Sequence, residues 1–228
     1  MPAASGMGDP IRATVVGMGE SGNQGRQLTA KGRATRARIL GTAADLVLKN
    51  GVAGTQIEDV RKAAGVSGSQ MTHYFQDKQK LIKDVIAWQA DTTIEAHQRP
   101  ELGEMDTFAA WRNWAAMITK KQIDRGFRGG CDFGSLAGQL VESSAETRAD
   151  LADGYERLLE VFRRGLAAMR DRGDLREDAD PDALAQALLG AMQGGLLLSQ
   201  TLRRAAPLRD SLDAAMAHLE SFAGPGRL

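Results

Sequence analysis

Apolar residues recur at the three- and four-residue spacing of amphipathic helices along most of this chain. The pattern predicts two short helices between residues 55 and 75, and longer ones over residues 31–50, 77–97, 106–125, 131–141, 145–172, 180–203 and 207–222. No segment after residue 28 shows the two-residue alternation of a half-buried strand. We therefore expect an all-α fold of about nine helices.

Residues 55–75 contain two helix-start signals close together. Thr55-x-x-Glu58 and Ser67-x-x-Gln70 each match a capping box, and Gly65 lies between them. The apolar residues of the two short helices would face each other: Ile57, Val60 and Ala64 in the first, and Met71, Tyr74 and Phe75 in the second. The spacing predicts a helix-turn-helix.

The opposite face of the second short helix is polar. It carries Ser69, Gln70, Thr72 and His73. Side chains that form hydrogen bonds from the second helix of a helix-turn-helix can read base edges in the major groove of DNA. This face is therefore a candidate DNA-binding surface.

Charge is divided unequally along the chain although its net charge is zero. Residues 29–85 hold ten Lys and Arg against five Asp and Glu, whereas residues 86–228 hold 17 against 22. The first predicted helix begins with Lys31, Arg33, Arg36 and Arg38, and basic residues at a helix N-terminus oppose the helix dipole. A phosphate partner would explain their placement, and a solvated helix face would give the same pattern.

Composition narrows the class of protein. A chain of 228 residues with 43% apolar content can bury a sizeable core. The single cysteine, Cys131, excludes an intramolecular disulfide and suits a reducing compartment. No apolar run approaches the roughly 18 to 20 residues that span a bilayer, and the N-terminus lacks the features of a secretory signal. We expect a cytoplasmic protein without membrane contact.

Residues 1–28 are rich in glycine and have no periodic apolar face, which predicts a disordered leader. Within them, Gly17-x-Gly19-x-x-Gly22 matches the dinucleotide-binding fingerprint. That fold needs a second strand ending near an acidic residue, whereas here the next helix leads to Gly51 and the helix-turn-helix. We interpret the match as part of the leader.

The N-terminal part of the chain resembles the TetR family of transcriptional repressors. The resemblance covers about residues 35–85 and rests on the basic helix, on Ala64-Gly65-Val66-Ser67 and on His73-Tyr74-Phe75-x-Asp77-Lys78-x-x-Leu81-Ile82. The body is similar in helix order and length, and Gly130-Cys131-x-x-Gly134 and Gln193-Gly194-Gly195 resemble elements of a subset. The resemblance implies a homodimer that binds a palindromic operator in double-stranded DNA and releases it when a small molecule enters the body.

The resemblance also implies roles for single residues. Thr55 and Lys78 match phosphate contacts, and Thr72 departs from the family, which commonly has tyrosine there. The residues expected to contact DNA are Arg33, Arg36, Thr55, Ser67, Ser69, Gln70, Thr72, His73, Tyr74 and Lys78. The chain then divides into a DNA-binding domain over residues 29–77 and a ligand-binding and dimerisation domain over residues 78–228.

Aromatic, sulfur-containing and apolar side chains of the body are candidates for the wall of a ligand pocket. The set is Trp111, Trp114, Met117, Cys131, Phe133, Tyr155, Phe162 and Met192. Core packing would give the same pattern. Cys131, after two glycines at a predicted helix start, is either a reactive thiol of lowered pKa or a small buried side chain.

Metal and catalytic sites are not expected. His97 and His218 are isolated in the sequence, without Cys or His at ligand spacing. The chain has no G-x-S-x-G and no phosphate-binding loop. We therefore predict no cofactor, no metal and no enzyme activity.

The last two predicted helices carry more apolar surface than a single stripe requires. Gly190, Ala191, Gly194 and Gly195 would let another helix approach closely. The pattern predicts a two-fold interface of four helices, and an intramolecular core is the rival interpretation. The whole sequence points to a ligand-responsive, homodimeric repressor. The alternative is a helical ligand-binding protein or enzyme in which the helix-turn-helix only packs.

Overall fold

The computed structural model describes residues 28–226, and within that range the chain is helical. The helices are α1 Ala30–Asn50, α2 Ile57–Ala63, α3 Gly68–Tyr74, α4 Lys78–His97, α5 Phe108–Asp124, α6 Asp132–Leu140, α7 Ala145–Asp171, α8 Pro181–Leu202 and α9 Ala206–Glu220. A 3₁₀ turn, Pro100–Leu102, lies between α4 and α5. The predicted all-α fold is confirmed. All but the last residue of the predicted leader, with its Gly17-x-Gly19-x-x-Gly22 segment, lies outside the described residues.

Several helix ends fall where the sequence predicts them. The Asp77 carboxylate accepts the Lys80 N–H at 2.7 Å and begins α4. Asp180 accepts the Asp182 N–H at 2.9 Å, with Pro181 as the first residue of α8. Gly51 ends α1 at φ 75°, a left-handed conformation that favours glycine.

Two helix starts were predicted one residue too early. Gln56, not Thr55, precedes α2, and the Asp59 carboxylate accepts the Gln56 N–H at 3.2 Å. Thr107, not Asp106, caps α5 and accepts the Ala110 N–H at 3.1 Å. In each case two adjacent side chains can cap, and the one that does not cap has another partner. The Asp106 carboxylate, for example, binds Arg172 at 2.7 Å.

The core forms two clusters of buried side chains. The larger cluster joins α5, α7, α8 and α9 in the body. The smaller cluster joins α1 to α4, which we call the head, and includes Phe133, Leu136 and Leu140 from α6. Since α6 packs into the core of the head, the head does not stand apart from the rest of the chain.

Helix α7 is approached very closely at two glycines on one of its faces. A Cβ atom at Gly154 would lie 2.4 Å from Cζ of Phe133 in α6. A Cβ atom at Gly165 would lie 2.3 Å from the carbonyl oxygen of Met105, just before α5. Such distances are below any van der Waals contact, so these positions admit no larger side chain without movement of the neighbouring backbone or ring. Within the described residues, no helix is long and apolar enough to cross a membrane.

Candidate functional site

The outer face of α3 is exposed and polar. Met71 and Phe75, the residue that follows α3, are buried in the head, whereas Ser69, Gln70, Thr72 and His73 are exposed. Gly65, at φ 61° between α2 and α3, makes the left-handed turn that brings the two helices together. The short helix therefore presents one row of polar groups on a rigid apolar base.

Several of these polar groups already have a partner within the helix. Ser67 Oγ accepts the Gln70 N–H at 3.1 Å, and Gln70 Oε1 accepts the Ser67 N–H at 3.0 Å, which confirms the predicted capping box. The Thr72 hydroxyl donates to the Gly68 carbonyl at 3.1 Å. The Gln70 side-chain NH₂ is left free to donate, and the exposed His73 ring is available beside it.

The start of α1 lies beside the end of α3. A Cβ atom at Gly32 would be 3.5 Å from the Tyr74 hydroxyl, and the His73 and Tyr74 rings meet edge to face at 4.9 Å between centroids. Arg33 is exposed here and donates to the Leu28 carbonyl at 2.8 Å. Lys78 begins α4, and neither Arg33 nor Lys78 forms an ion pair with a described residue. These cations are free to meet an anion.

Other predicted DNA contacts are occupied within the fold. The Arg36 guanidinium binds the Asp84 carboxylate at 2.8 Å and lies over the Phe75 ring, 5.7 Å from its centroid. Thr55 is 3% exposed, and its hydroxyl donates to the Gly51 carbonyl at 2.9 Å. Both side chains hold the head together. Sequence spacing could not show the Arg36–Asp84 pair, because it joins residues 48 positions apart, whereas the Thr55–Gly51 bond is local.

A cavity of about 680 Å³ lies in the body between α4, α5, α6 and α8. Its apolar wall consists of Met117, Ile118, Met192 and Leu196, with the Cys131 thiol beside them. Its polar wall consists of Gln89, Thr92, Thr93, His97 and Gln122. The size and the mixture of apolar and polar groups are typical of small-molecule sites.

The structure brings three of the eight predicted pocket residues to this cavity: Met117, Cys131 and Met192. Trp111, Trp114 and Phe162 instead form a fully buried aromatic cluster with ring centroids 5.2 to 5.6 Å apart. Phe133 of α6 and Tyr155 of α7 pack on each other with their ring centroids 4.8 Å apart. These five side chains fill the core because aromatic rings in edge-to-face contact leave no space between them.

Sequence reasoning missed the buried polar side chains of the cavity. Gln89, His97 and Gln122 are only 5%, 4% and 2% exposed. His97 Nδ1 lies 2.8 Å from the Thr93 carbonyl, while His97 Nε2 and Gln122 Nε2 are buried without a hydrogen-bond partner. A usable signal existed, since Gln89 lies in phase with the apolar stripe of α4, next to the buried Ala90.

Two of the titratable groups that line the cavity, His97 and Cys131, have pKa values shifted toward the neutral form. Burial lowers the pKa of His97, and the charges of Lys121 and Arg99 lower it further. Burial raises the pKa of the Cys131 thiol. Its sulfur caps α6, accepting the Gly134 N–H and the Gln193 side-chain N–H at 3.3 Å each. The interpretation of Cys131 as a thiol of lowered pKa is therefore wrong.

The two short motifs of the body meet at this cysteine. Besides donating to Cys131, the Gln193 side chain lies so close to Gly134 that a Cβ atom there would be 2.5 Å from its oxygen. Burial, with a contribution from the charge of Cys131, raises the pKa of the nearby Tyr155 to about 12. Among the described residues, no group of three or more His, Cys, Asp or Glu is placed to hold a metal.

Helix α8 has one buried and one exposed apolar face. Leu184, Leu188, Leu189, Met192 and Leu196 are buried within the subunit, as the intramolecular interpretation requires. The other face presents small residues, Ala183, Ala187, Gly190 and Gly194, followed by Leu197, Leu198 and Leu202, which are 63%, 50% and 50% exposed. A Cβ atom at Gly190 or Gly194 would contact nothing within 4 Å. We call this surface the open face of α8.

Comparison with known proteins places both parts of the chain. Residues 39–85 match the family model described as bacterial regulatory proteins, tetR family, and residues 105–215 match a tetracyclin repressor-like C-terminal domain. The sequence is 22% identical over 174 residues to the HTH-type transcriptional repressor DhaR of Mycobacterium sp., a match covering 76% of this chain and 86% of the relative. It is 28% identical over 167 residues to the transcriptional regulator AcuR of Cereibacter sphaeroides, covering 70% and 74%.

Solved structures share the fold. A TetR transcriptional regulator from Chloroflexus aurantiacus superposes with a TM-score of 0.72 at 22% identity, over 86% of this chain and 99% of that one. The helix order therefore belongs to a known architecture.

Proposed function

The chain belongs to the tetR family of bacterial regulatory proteins, and from that membership we propose that it is a repressor. It binds a palindromic operator as a dimer and leaves the operator when a small molecule fills the body cavity. The family match shows that the chain is a ligand-responsive DNA-binding regulator and not an enzyme. The negative sign of regulation is supported by the relative DhaR, which is named a repressor. Operator DNA in a bacterium lies in the cytoplasm, so this function implies a cytoplasmic protein.

The observation that carries the proposal is the position of α3, which is packed on the head with its polar face exposed. Its exposed row is Ser69, Gln70, Thr72 and His73, and the end of α3 meets the start of α1, where the Tyr74 hydroxyl lies 3.5 Å from a Cβ atom placed at Gly32. Arg33 follows Gly32 and Lys78 begins α4, and neither forms an ion pair with a described residue. We assign base contacts to Gln70 and His73 and phosphate contacts to Arg33, Lys78 and the Tyr74 hydroxyl. Ser67 and Thr55 act by holding helices in place, because their hydroxyls are used within the head.

The operator is found by selection from fragments of the source genome with the purified full chain. The proposal expects a site with two-fold symmetry whose halves lie about one or a few helical turns apart. Footprinting then measures the protected length. A protein that selects no DNA, or a single asymmetric half-site, would contradict the proposal.

We assign the dimer contact to the open face of α8 together with α9. Small residues at three- and four-residue spacing let a partner helix approach closely, and the exposed leucines at the end of α8 add apolar area. Two such helices from each subunit would form a four-helix contact, which fixes the distance between the two heads.

The dimer contact is tested by Gly194→Glu. Since a side chain at this position meets open space within the subunit, the variant should fold, yet its charge would lie in the subunit contact. Light scattering should show a dimer for the wild type and for Ala149→Glu, which places the same charge on the exposed side of α7, and a monomer for Gly194→Glu. A dimeric Gly194→Glu would place the contact elsewhere.

Two helices connect the cavity with the head. Helix α4 carries Lys78 at its start and Gln89, Thr93 and His97 in the cavity wall. Helix α6 begins beside the cavity and ends against α1. We propose that an effector shifts the population toward a state in which these helices hold the two heads at a spacing that the operator does not accept.

A further inference from the structure

The polar wall of the cavity is incomplete as it stands. His97 Nε2 and Gln122 Nε2 are buried without partners, and the side chain of Gln89 makes no hydrogen bond to a described residue. A buried polar group without a partner destabilises the fold, and most buried groups in native proteins are paired. All three side chains line the same cavity, so one bound molecule could satisfy them together.

The hydrogen-bonding direction of His97 is set by its own helix. Nδ1 lies 2.8 Å from the Thr93 carbonyl, an acceptor, so Nδ1 carries the proton. In the neutral ring Nε2 is then a lone-pair acceptor. It requires a donor on the ligand, such as a hydroxyl or an N–H group.

Gln122, on the facing helix, has the opposite need. Its Nε2 is a donor that meets no acceptor in the chain. A carbonyl or carboxylate oxygen on the ligand would satisfy it. The apolar wall between these helices, formed by Met117, Ile118, Met192 and Leu196, suits a hydrocarbon or aromatic body, and methionine sulfur packs well on aromatic rings.

The mouth of the cavity adds a preference for negative charge. Lys120 is paired with Asp124 at 2.6 Å, and Arg125 with Asp132 at 3.5 Å. Arg99, Lys121 and Glu95 also line the cavity and form no ion pair with a described residue, which leaves one net positive charge among the residues of the lining. Lys121 and Arg99 are close enough to act on the charge state of His97, so their potential extends to the polar wall.

We propose that the effector is a small hydroxylated organic acid: its hydroxyl donates to His97 Nε2, its carboxylate accepts from Gln122 and is drawn by Lys121 and Arg99, and its apolar body lies against Met117 and Met192. This inference rests on the proposed function, because it names the ligand class of the same cavity. It is separable from that function, since the cavity can be tested without DNA.

The first test needs no ligand. If Gln122 is held in the fold without a partner, Gln122→Met keeps the side-chain size and removes a buried polar group, so the melting temperature of the unliganded full chain should rise by about 2–4 °C. Gln193→Met is the matched control, because Gln193 donates to Cys131 and should gain nothing. A lower melting temperature for Gln122→Met would mean that the chain itself satisfies the amide, and would overturn the proposal.

The second test uses hydroxycinnamates as probes. The three monohydroxycinnamate isomers are compared by calorimetry with their methoxy counterparts, which lack the donor, and with their methyl esters, which lack the charge. The best hydroxy acid should bind at least about tenfold more tightly than its methoxy counterpart, a difference of about 1.4 kcal/mol. His97→Phe should remove that difference, and Gln122→Met should weaken the acid more than the ester.

The outcomes separate the two proposals. Equal binding of hydroxy and methoxy acids, or no binding of any probe at millimolar concentration, overturns the ligand class. Operator binding, with release by compounds of another class, would leave the repressor function intact and would still overturn the proposed ligand class. If the chain binds the hydroxy acids as described but no operator, the cavity assignment stands and the repressor function fails.

Discussion

The side-chain oxygen of Gln139 accepts the backbone N–H of Val52 at 3.2 Å, and this bond joins the end of α6 to the loop that follows α1. The other end of α6 is capped by Cys131 in the wall of the cavity. One short helix therefore touches both the ligand cavity and the head. Phe133 and Leu136 also pack this helix into the core of the head.

Replacement of Gln139 should weaken the response to effector more than it weakens DNA binding. Gln139→Leu removes the only acceptor that this side chain offers to Val52, and one such bond contributes about 0.5–1.5 kcal/mol, or about two- to tenfold. The effector concentration for half-release should rise by that factor. Gln139→Glu keeps an acceptor and should behave as the wild type. Fluorescence anisotropy of labelled operator measures DNA binding and the effector concentration for half-release. An unchanged response in Gln139→Leu would show that this bond does not couple the cavity to the head.

Gln70 has two roles that a suitable pair of substitutions can separate. Gln70→Glu retains the oxygen that caps the Ser67 amide but replaces the free NH₂ donor with negative charge. Operator affinity should fall by about tenfold or more, while the melting temperature changes little. Gln70→Ala loses the cap as well and should lower both the operator affinity and the melting temperature. Wild-type affinity in Gln70→Glu would show that this side chain does not contact the operator.

Arg33 and Lys78 should each account for part of the salt dependence of operator binding. Removing one phosphate contact lowers the slope of log K against log salt by about one, and a dimer loses two such contacts per substitution. Lys49→Ala, an exposed lysine at the far end of α1, should leave the slope unchanged. The slopes come from titrations at several salt concentrations. A slope as steep as that of the wild type in Lys78→Ala would remove Lys78 from the interface.

Cys131 should react slowly with alkylating reagents at neutral pH. Burial raises its pKa above the ordinary value of 9.0, so the folded protein holds less thiolate at a given pH than the unfolded chain does. The rate of reaction with iodoacetamide should keep rising with pH beyond the point where the rate for unfolded protein levels off. Mass spectrometry of timed samples, with unfolded protein as the reference, gives both profiles. Rapid alkylation that levels off below pH 8 would contradict a thiol of raised pKa.

The helix positions and the helix-turn-helix of the head could be predicted from local sequence. Periodicity and capping residues act over a few positions, so Asp77, Asp180 and the Ser67 box could be read directly. The one-residue errors at α2 and α5 occurred where two adjacent side chains can both cap. A contact from a distant part of the chain, such as the one between Arg172 and Asp106, then decides.

The cavity could not be located in this way. Trp111 and Met117 both lie on buried or half-buried faces of α5, yet only Met117 reaches the empty space. Which apolar side chains fill a core and which line a void depends on how four helices cross, and no short-range pattern contains that information. The polar residues in phase with apolar stripes, Gln89 above all, are the signal that could have been used.

The two close approaches along α7 restrict which residues can occupy Gly154 and Gly165. Gly154 and Gly165 are eleven residues apart, three turns of one helix, and each faces a different neighbour, Phe133 in α6 and the Met105 carbonyl. In a mutational scan under selection for regulation, these two positions should tolerate less variety than any tryptophan of the aromatic cluster, since a ring can be replaced by a smaller side chain but an occupied space cannot be entered. Distant relatives that keep both glycines would then share this arrangement of helices even where their ligand-binding side chains have been entirely replaced.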